Sequence, residues 1–321
     1  MKFEKGQTPW NKGKKCDWVT ERNLRDNPMK NIITQRDCVY SCSYCFNHAW
    51  REVFKNEKGK MFQRKSIDYV IRETRDIKQK WGLEKVLFLD DNFIGPGKKN
   101  KEWMDEFSAK WQEEINLPFL CSMRANLVNE PLIKKLKETG LEMVNFALES
   151  ATPQVQRETL NRGQITNEDI GRAIGLFKKY DIRCRMQNMI GLPIENPLED
   201  ALTTLEFNMH AGVDDSWVSI YQPYPGTKLG DFCFEKGLIE GEKLESCSDS
   251  FYDGSNLDIP DKDKIQRLQK WWHWVVKHKV DLDFVKILLE VPMDKPTRDM
   301  LQELKFEDAR KNLYGIKNGG G

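Results

Sequence analysis

The chain has 321 residues, 51 of them Lys or Arg against 50 Asp or Glu, for a formal net charge of +1. That length buries a full core and fits one large domain with an appendage, and the near balance of charge gives no general electrostatic case for nucleic acid or anionic lipid as a partner. No apolar run approaches the roughly 20 residues of a bilayer span, and Met1-Lys2-Phe3-Glu4-Lys5-Gly6 lacks the apolar core of a secretion signal, so a cytoplasmic protein without membrane contact is expected.

The first 30 residues are polar and aperiodic and read as an N-terminal arm, residues 1–30. Within it, Gln7-Thr8-Pro9-Trp10-Asn11-Lys12-Gly13-Lys14-Lys15 resembles a short modular repeat attached to some phage-type homing nucleases. In a single copy it is expected to be a solvated basic arm. From Asn31 to Gly226, short strand-like runs alternate with amphipathic segments of helical length, the pattern of a parallel sheet built from βα units. Strands are predicted at Asn31 to Gln35, Lys85 to Asp90, Pro118 to Met123, Met143 to Leu148, Arg183 to Ile190 and Trp217 to Gln222. Helices are predicted at Ser66 to Trp81, with Ser66 as N-cap and Gly82 as stop, and at Lys101 to Ile115, Glu130 to Thr139, Asn167 to Tyr180 and Pro197 to His210.

Six units fall short of the eight in a closed barrel, so the expected fold is α/β, a partial (β/α)6 TIM-like barrel over residues 31–230 with its chemistry at the C-terminal strand ends. Period-two alternation turns Val144, Phe146 and Leu148 toward the helices and leaves Asn145 and Glu149 in the lumen. The same parity puts Ser122, Arg124, Arg185 and Gln187 inward and makes Cys121 and Cys184 small core residues. Residues 231–321 read as a mainly helical extension. There Lys264 to Val280, containing Trp271-Trp272-His273-Trp274, is too aromatic for an exposed helix and is expected to pack on the barrel, with no catalytic role required of His273 or His278.

Eight cysteines in a chain without a secretion signal point to a metal site before disulfides. Three of them, Cys38, Cys42 and Cys45, fall in one loop after the first strand. Three thiolates suit an iron–sulfur cluster that needs four ligands, leaving one iron open to a small molecule. With His48 the same thiols make a tetrahedral Cys3His zinc site, a binding module for which the basic stretch Lys12 to Lys15 suggests nucleic acid. A cluster that senses redox state or iron without catalysis is a third reading. Cys233 with Cys247 is a further pair able to support an auxiliary metal.

The C-x3-C-x2-C loop with Tyr44 before its last cysteine resembles the cluster loop of the radical S-adenosylmethionine superfamily. Leu89-Asp90-Asp91-Asn92-Phe93, Ala147-Leu148-Glu149-Ser150-Ala151-Thr152-Pro153, Met189-Ile190-Gly191-Leu192-Pro193 and Tyr224-Pro225-Gly226-Thr227 are similar to segments of that superfamily, in its order and at its strand ends. The resemblance covers about two-thirds of the chain.

The resemblance implies that Cys38, Cys42 and Cys45 hold a [4Fe–4S] cluster whose fourth iron is chelated by the amino and carboxylate groups of S-adenosylmethionine, and that one electron cleaves the sulfonium to a 5′-deoxyadenosyl radical. It implies that Asp90, Asp91 or Asn92 receives the methionine amino group, although the usual Gly-Gly-Glu is absent. Glu149 and Ser150 would contact ribose or methionine, Arg124 the methionine carboxylate, and Tyr44, Phe46 and Gly191 the adenine. The expected partners are a small-molecule or peptide substrate and a one-electron reductant such as flavodoxin or ferredoxin, with no nucleic acid. Cobalamin use stays open: members with the most similar motifs often carry an N-terminal cobalamin-binding domain, whereas 37 residues precede Cys38.

Overall fold

A computed structural model describes residues 25, 27–55, 63–239, 247–248, 250–252 and 254–308. The basic arm with its repeat-like segment, and Cys16, lie outside the described residues. Six strands form one parallel sheet in the order β1 (Met29–Ile32), β4 (Lys85–Phe88), β5 (Phe119–Ser122), β6 (Leu141–Glu149), β7 (Arg183–Ile190) and β8 (Asp215–Ile220). Spatial order follows chain order, so every crossover steps the same way, which is the winding of an incomplete barrel. A short antiparallel pair, β2 (Gln35–Arg36) with β3 (Gln63–Arg64), stands just before the cysteine loop.

The strands depart from the predicted bounds by up to three residues, and two of the shifts have a clear local cause. β1 stops at Ile32 because the carboxylate of Asp90 captures the N–H groups of Thr34 and Gln35, which are lost to the sheet ladder. β8 starts at Asp215, where the carboxylate is ion-paired to Arg185 on the neighbouring strand at 2.6 Å, and Tyr221 and Gln222 fall in the loop beyond its end.

The helices follow the sequence signals, and one more appears in the cysteine region, α1 (Asn47–Val53). α2 (Ile67–Trp81) starts on Ser66, whose hydroxyl accepts from the Tyr69 N–H, and ends on Gly82. α3 (Lys98–Lys110) passes into a π turn, Trp111–Ile115, that buries Trp111 with its indole N–H on the Leu117 carbonyl. α4 (Glu130–Thr139), α5 (Asn167–Lys179) and α6 (Pro197–Ala211) complete the outer layer.

Val86, Phe88, Phe119, Val144, Phe146 and Leu148 enter one core with the helices. Cys121 and Cys184 sit in it fully buried, and burial pushes both thiols up, Cys184 to about 12. The opposite parity faces the lumen, whose floor is Met29, Leu87, Leu120 and Met143. No helix among the described residues is long and apolar enough to cross a membrane.

After the last strand come α7 (Lys228–Glu235), α8 (Lys262–His278), α9 (Leu282–Glu290) and α10 (Lys295–Asp308). α8 lies on β8 and α6. Its Trp272 is buried and donates its indole N–H to Ser216 Oγ at 2.7 Å, closing the outer face that a further βα unit would cover in a complete barrel. His273 lies between Asp215 and Asp308, at 3.6 and 3.0 Å, at the start of β8 and away from the C-terminal strand ends.

Candidate active site

The cysteine loop is fastened from three directions at the C-terminal end of β1. From α1, Arg51 donates to the carbonyls of Cys38 and Tyr40 at 2.9 and 2.6 Å and to Ser41 Oγ at 3.0 Å. From the turn after β6, the Leu160 carbonyl accepts from the Ser43 N–H, the Thr159 carbonyl accepts from the Ser43 hydroxyl, and Asn161 donates to the Ser41 carbonyl. From α7, the Leu229 N–H donates to the Ser43 carbonyl. A loop pinned through its backbone keeps its thiols at a fixed spacing without using their side chains.

Cys42 is the deepest thiol, at 8% exposed, while Cys38 and Cys45 are half-buried. Burial pushes Cys38 up and Cys45 up to about 11. Two buried guanidinium groups approach Cys42 Sγ: Arg124 Nη1 at 3.8 Å and Arg162 Nη1 at 3.9 Å. Arg124 also lies flat over Tyr40, 3.5 Å from the ring centroid, a cation–π stack that fixes its plane.

Arg162 organises the far side of the loop. Its Nη1 donates to the Tyr44 hydroxyl at 3.0 Å, its Nη2 donates to the Ala147 carbonyl at 2.7 Å, and Tyr44 donates in turn to Glu149 Oε1 at 2.8 Å. Glu149 adopts φ 66°, a left-handed conformation rare outside glycine, where the β6–β7 register shifts. Burial pushes its carboxyl up, opposed by the Arg162 charge and the Tyr44 hydrogen bond. The Tyr44 phenol is also pushed well above its usual range, by burial first.

The other sequence candidates separate by what already occupies them. Asp90 accepts from the Thr34 and Gln35 N–H groups at 2.8 and 2.6 Å and from the Thr34 hydroxyl at 2.9 Å, so both its oxygens are engaged. Asn92 is buried and accepts the Arg124 N–H, joining two strand ends. Asp91, between them, is exposed, lies beside Asn47 and is within the electrostatic reach of Cys38 and Cys45. Ser150 points to the helix side, donating to Asp200 Oδ1 at 2.5 Å. Gly191 has φ 73°, a left-handed conformation that favours glycine, while a Cβ there would meet Ile220 and Ile265 at 3.4 Å, close to ordinary contact. Phe46 is 56% exposed at the loop's outer edge.

His48 is turned to α7, its Nε2 accepting from the Lys228 N–H at 3.4 Å. Among the described residues no three His, Cys, Asp or Glu side chains are gathered as a single metal ion would need. That holds for Cys38, Cys42 and Cys45 with or without His48 and for Cys233 with Cys247, so it favours neither zinc nor a cluster.

The donor set fits a three-thiolate cluster with a bound cofactor that carries a carboxylate. Arg124 Nε and Nη2 and Arg162 Nε are buried without a hydrogen-bond partner, and these orphan donors flank the thiols, where sulfide and carboxylate would accept from them. Sequence reasoning missed Arg162 and Arg51. Each is a single arginine in a turn or a short helix, with no periodicity or spacing to mark it.

The Radical SAM superfamily model matches residues 32–207, more than half of the chain. An uncharacterized methyltransferase of Pyrococcus horikoshii is 28% identical over 213 residues, 66% of this chain and 43% of the relative. The cytidylyl-2-hydroxyethylphosphonate methyltransferase of Streptomyces wedmorensis is 22% identical over 237 residues, 71% of this chain and 41% of the relative. The fold matches that of TsrM, a radical S-adenosylmethionine methyltransferase of Kitasatospora setae solved with cobalamin and a [4Fe-4S] cluster, with a TM-score of 0.58, 18% identity, and coverage of 74% of this chain and 43% of that one. It also matches HemN of Escherichia coli, a coproporphyrinogen III oxidase, with a TM-score of 0.54, 12% identity, and coverage of 81% and 55%. The chain thus spans about two-fifths of the length of the curated relatives it matches. By the extent of the family match, with the cysteine loop and the partial barrel in place, the chain belongs to the radical SAM superfamily.

Proposed function

We propose that this chain carries out radical S-adenosylmethionine chemistry at the mouth of its partial barrel, with Cys38, Cys42 and Cys45 holding a [4Fe–4S] cluster. The observation that carries the reading is the pinned three-cysteine loop facing Arg124, Arg162, Tyr44 and Glu149. The bound pair of cluster and cofactor supplies one-electron cleavage of a sulfonium carbon–sulfur bond and, from it, hydrogen abstraction.

The chain's own residues prepare that chemistry. Arg124 and Arg162 offset the negative charge of the thiolates and offer donors to the methionine carboxylate. Asp91 is the acid open to the methionine amino group, since the carboxylate of Asp90 is already engaged. Glu149, oriented by Tyr44, accepts from ribose or methionine. Tyr44, Phe46 and the Gly191 backbone border the adenine position. Burial of Cys42 and Arg162 limits the access of water and oxygen.

The names of both curated relatives support methyl transfer as the reaction subclass. A soluble one-electron reductant such as flavodoxin or ferredoxin and a cytoplasmic setting accord with free thiols at all seven described cysteines.

Anaerobic reconstitution followed by iron, sulfide and zinc analysis tests the reading. A brown protein containing iron and labile sulfide should release 5′-deoxyadenosine from S-adenosylmethionine under a low-potential reductant, and Cys42→Ala should abolish both properties. A colourless, zinc-loaded protein, or a loaded cluster that neither binds nor cleaves S-adenosylmethionine, would overturn it.

A further inference from the structure

On the helix side of the sheet, a cavity of about 580 Å³ lies between the π turn that follows β6 (Val155–Thr159), the loop between β7 and α6, and the first turn of α6. Four carboxylates line it: Glu158 on the π turn, Glu195 in the loop, and Glu199 and Asp200 on α6. No lysine or arginine is among the lining residues, and none of the four acids is ion-paired among the described residues. Like charges gathered on one concave surface focus a negative potential into it.

Asp200 is the deepest of the four, at 4% exposed. Its Oδ1 accepts the Ser150 hydroxyl at 2.5 Å, while its Oδ2 is buried with no hydrogen-bond partner among the described residues. Burial pushes the carboxyl up, although the nearby hydroxyls of Ser150 and Thr152 ease its charge. A carboxylate oxygen left open at that depth is costly until a donor or a cation meets it. The positive end of α6 accounts for acids at positions 199 and 200. It does not account for Glu158 and Glu195, which lie outside the helix and face the same space.

The shape of the lining selects among cations. Pro153, Val155 and Ile194 supply apolar wall between the charged groups, and no three of the acids are gathered as a single metal ion would need. A compact hydrated ion gains nothing from such walls. A chain whose ammonium groups are separated by methylenes matches both features, since each ammonium carries three donors and each spacer is apolar.

We propose that this cavity binds a linear aliphatic polyamine, with one ammonium group on Asp200 Oδ2 and the others on Glu158, Glu195 and Glu199. The site is built without the cysteine loop thiols and needs neither the cluster nor S-adenosylmethionine.

Calorimetric titration of the cluster-loaded chain and of the metal-free chain tests it, in potassium chloride at about 0.15 M, where loose attraction between exposed charges is largely screened. Spermidine should bind both at one-to-one stoichiometry. n-Butylamine, with a methylene chain but a single charge, should bind at least about tenfold more weakly. Asp200→Asn keeps an acceptor for Ser150 while removing the charge, and it should weaken spermidine about tenfold or more. Glu195→Gln with Glu199→Gln replaces two exposed side chains without touching the core and should weaken it comparably, with circular dichroism and thermal midpoint checking the fold of each variant. Mn²⁺ at equal concentration should not displace spermidine. No saturable binding of spermidine, equal binding of n-butylamine, displacement by Mn²⁺, or an affinity unchanged in either folded variant overturns the proposal.

Discussion

The Tyr44 hydroxyl donates to Glu149 Oε1 at 2.8 Å across 105 residues of chain, and Arg162 holds that hydroxyl from its other side at 3.0 Å. The aromatic residue of the cysteine loop is thereby a structural rivet between the loop and the end of β6. Because Arg162 is buried and faces Glu149, removing its charge leaves the half-buried Glu149 carboxylate without compensation.

Arg162→Gln should therefore destabilise the metal-free chain by about 3 kcal/mol, read as a shift in denaturant midpoint at constant slope. Adding Glu149→Gln should restore a large part of that loss, since the uncompensated charge is gone. Additive losses in the double variant would show that Arg162 acts through packing alone.

The barrel was legible because its outer face is written in period two: Val144, Phe146 and Leu148 on one strand, and Cys184 and Met186 on the next, all enter the helix-side core. The cysteine loop was legible from spacing. The polar strand ends were less so, because a motif names neighbours without saying which way each turns. Glu149 and Ser150 are adjacent, yet the first meets Tyr44 and the second Asp200 on the helix side, as alternation itself demands. Asp90 looks like a ligand residue in sequence, but backbone donors at the neighbouring strand end occupy it. Arg162 reaches Cys42 over 120 residues, and no local pattern carries a contact of that range.

Two guanidinium groups on one thiolate should tune the cluster electrically. Donors and positive charge near a cluster sulfur favour the reduced, more negative state, so they raise its potential. Arg124→Gln should make the couple more negative than in the unsubstituted chain, measured by redox titration under electron paramagnetic resonance. An unchanged potential, with the cluster intact, would remove Arg124 from any electronic role and leave only its stack on Tyr40.

Cluster loading should depend on pH through the thiols. Burial raises Cys38 and lifts Cys45 to about 11 from an ordinary 9.0, so the metal-free fold favours neutral thiols, whereas iron needs thiolates. The sign for the metal-free fold follows: the contribution from Cys45 is fully present below about pH 9 and is lost as pH rises through about 11. Iron affinity runs the other way, strengthening as pH rises from 7 toward 9 because fewer protons must be displaced. Competition with an iron chelator whose own pH dependence is known measures it, and a flat profile would contradict the protonated state of the loop.

The end of β1 depends on one carboxylate. Asp90 draws together two N–H groups and one hydroxyl from Thr34 and Gln35, and it does so while buried, which raises its own carboxyl despite those bonds. Asp90→Ala leaves the two N–H donors unsatisfied in the interior and releases the segment that leads into Cys38. The expected cost is about 3 kcal/mol of stability, with faster amide exchange at Thr34 and Gln35 as the local signature. Asp90→Asn keeps the shape and one acceptor oxygen, so it should cost less than half as much. If both variants lose stability equally while exchange at those two amides stays slow, the strand end is held by the β2–β3 pair and not by Asp90.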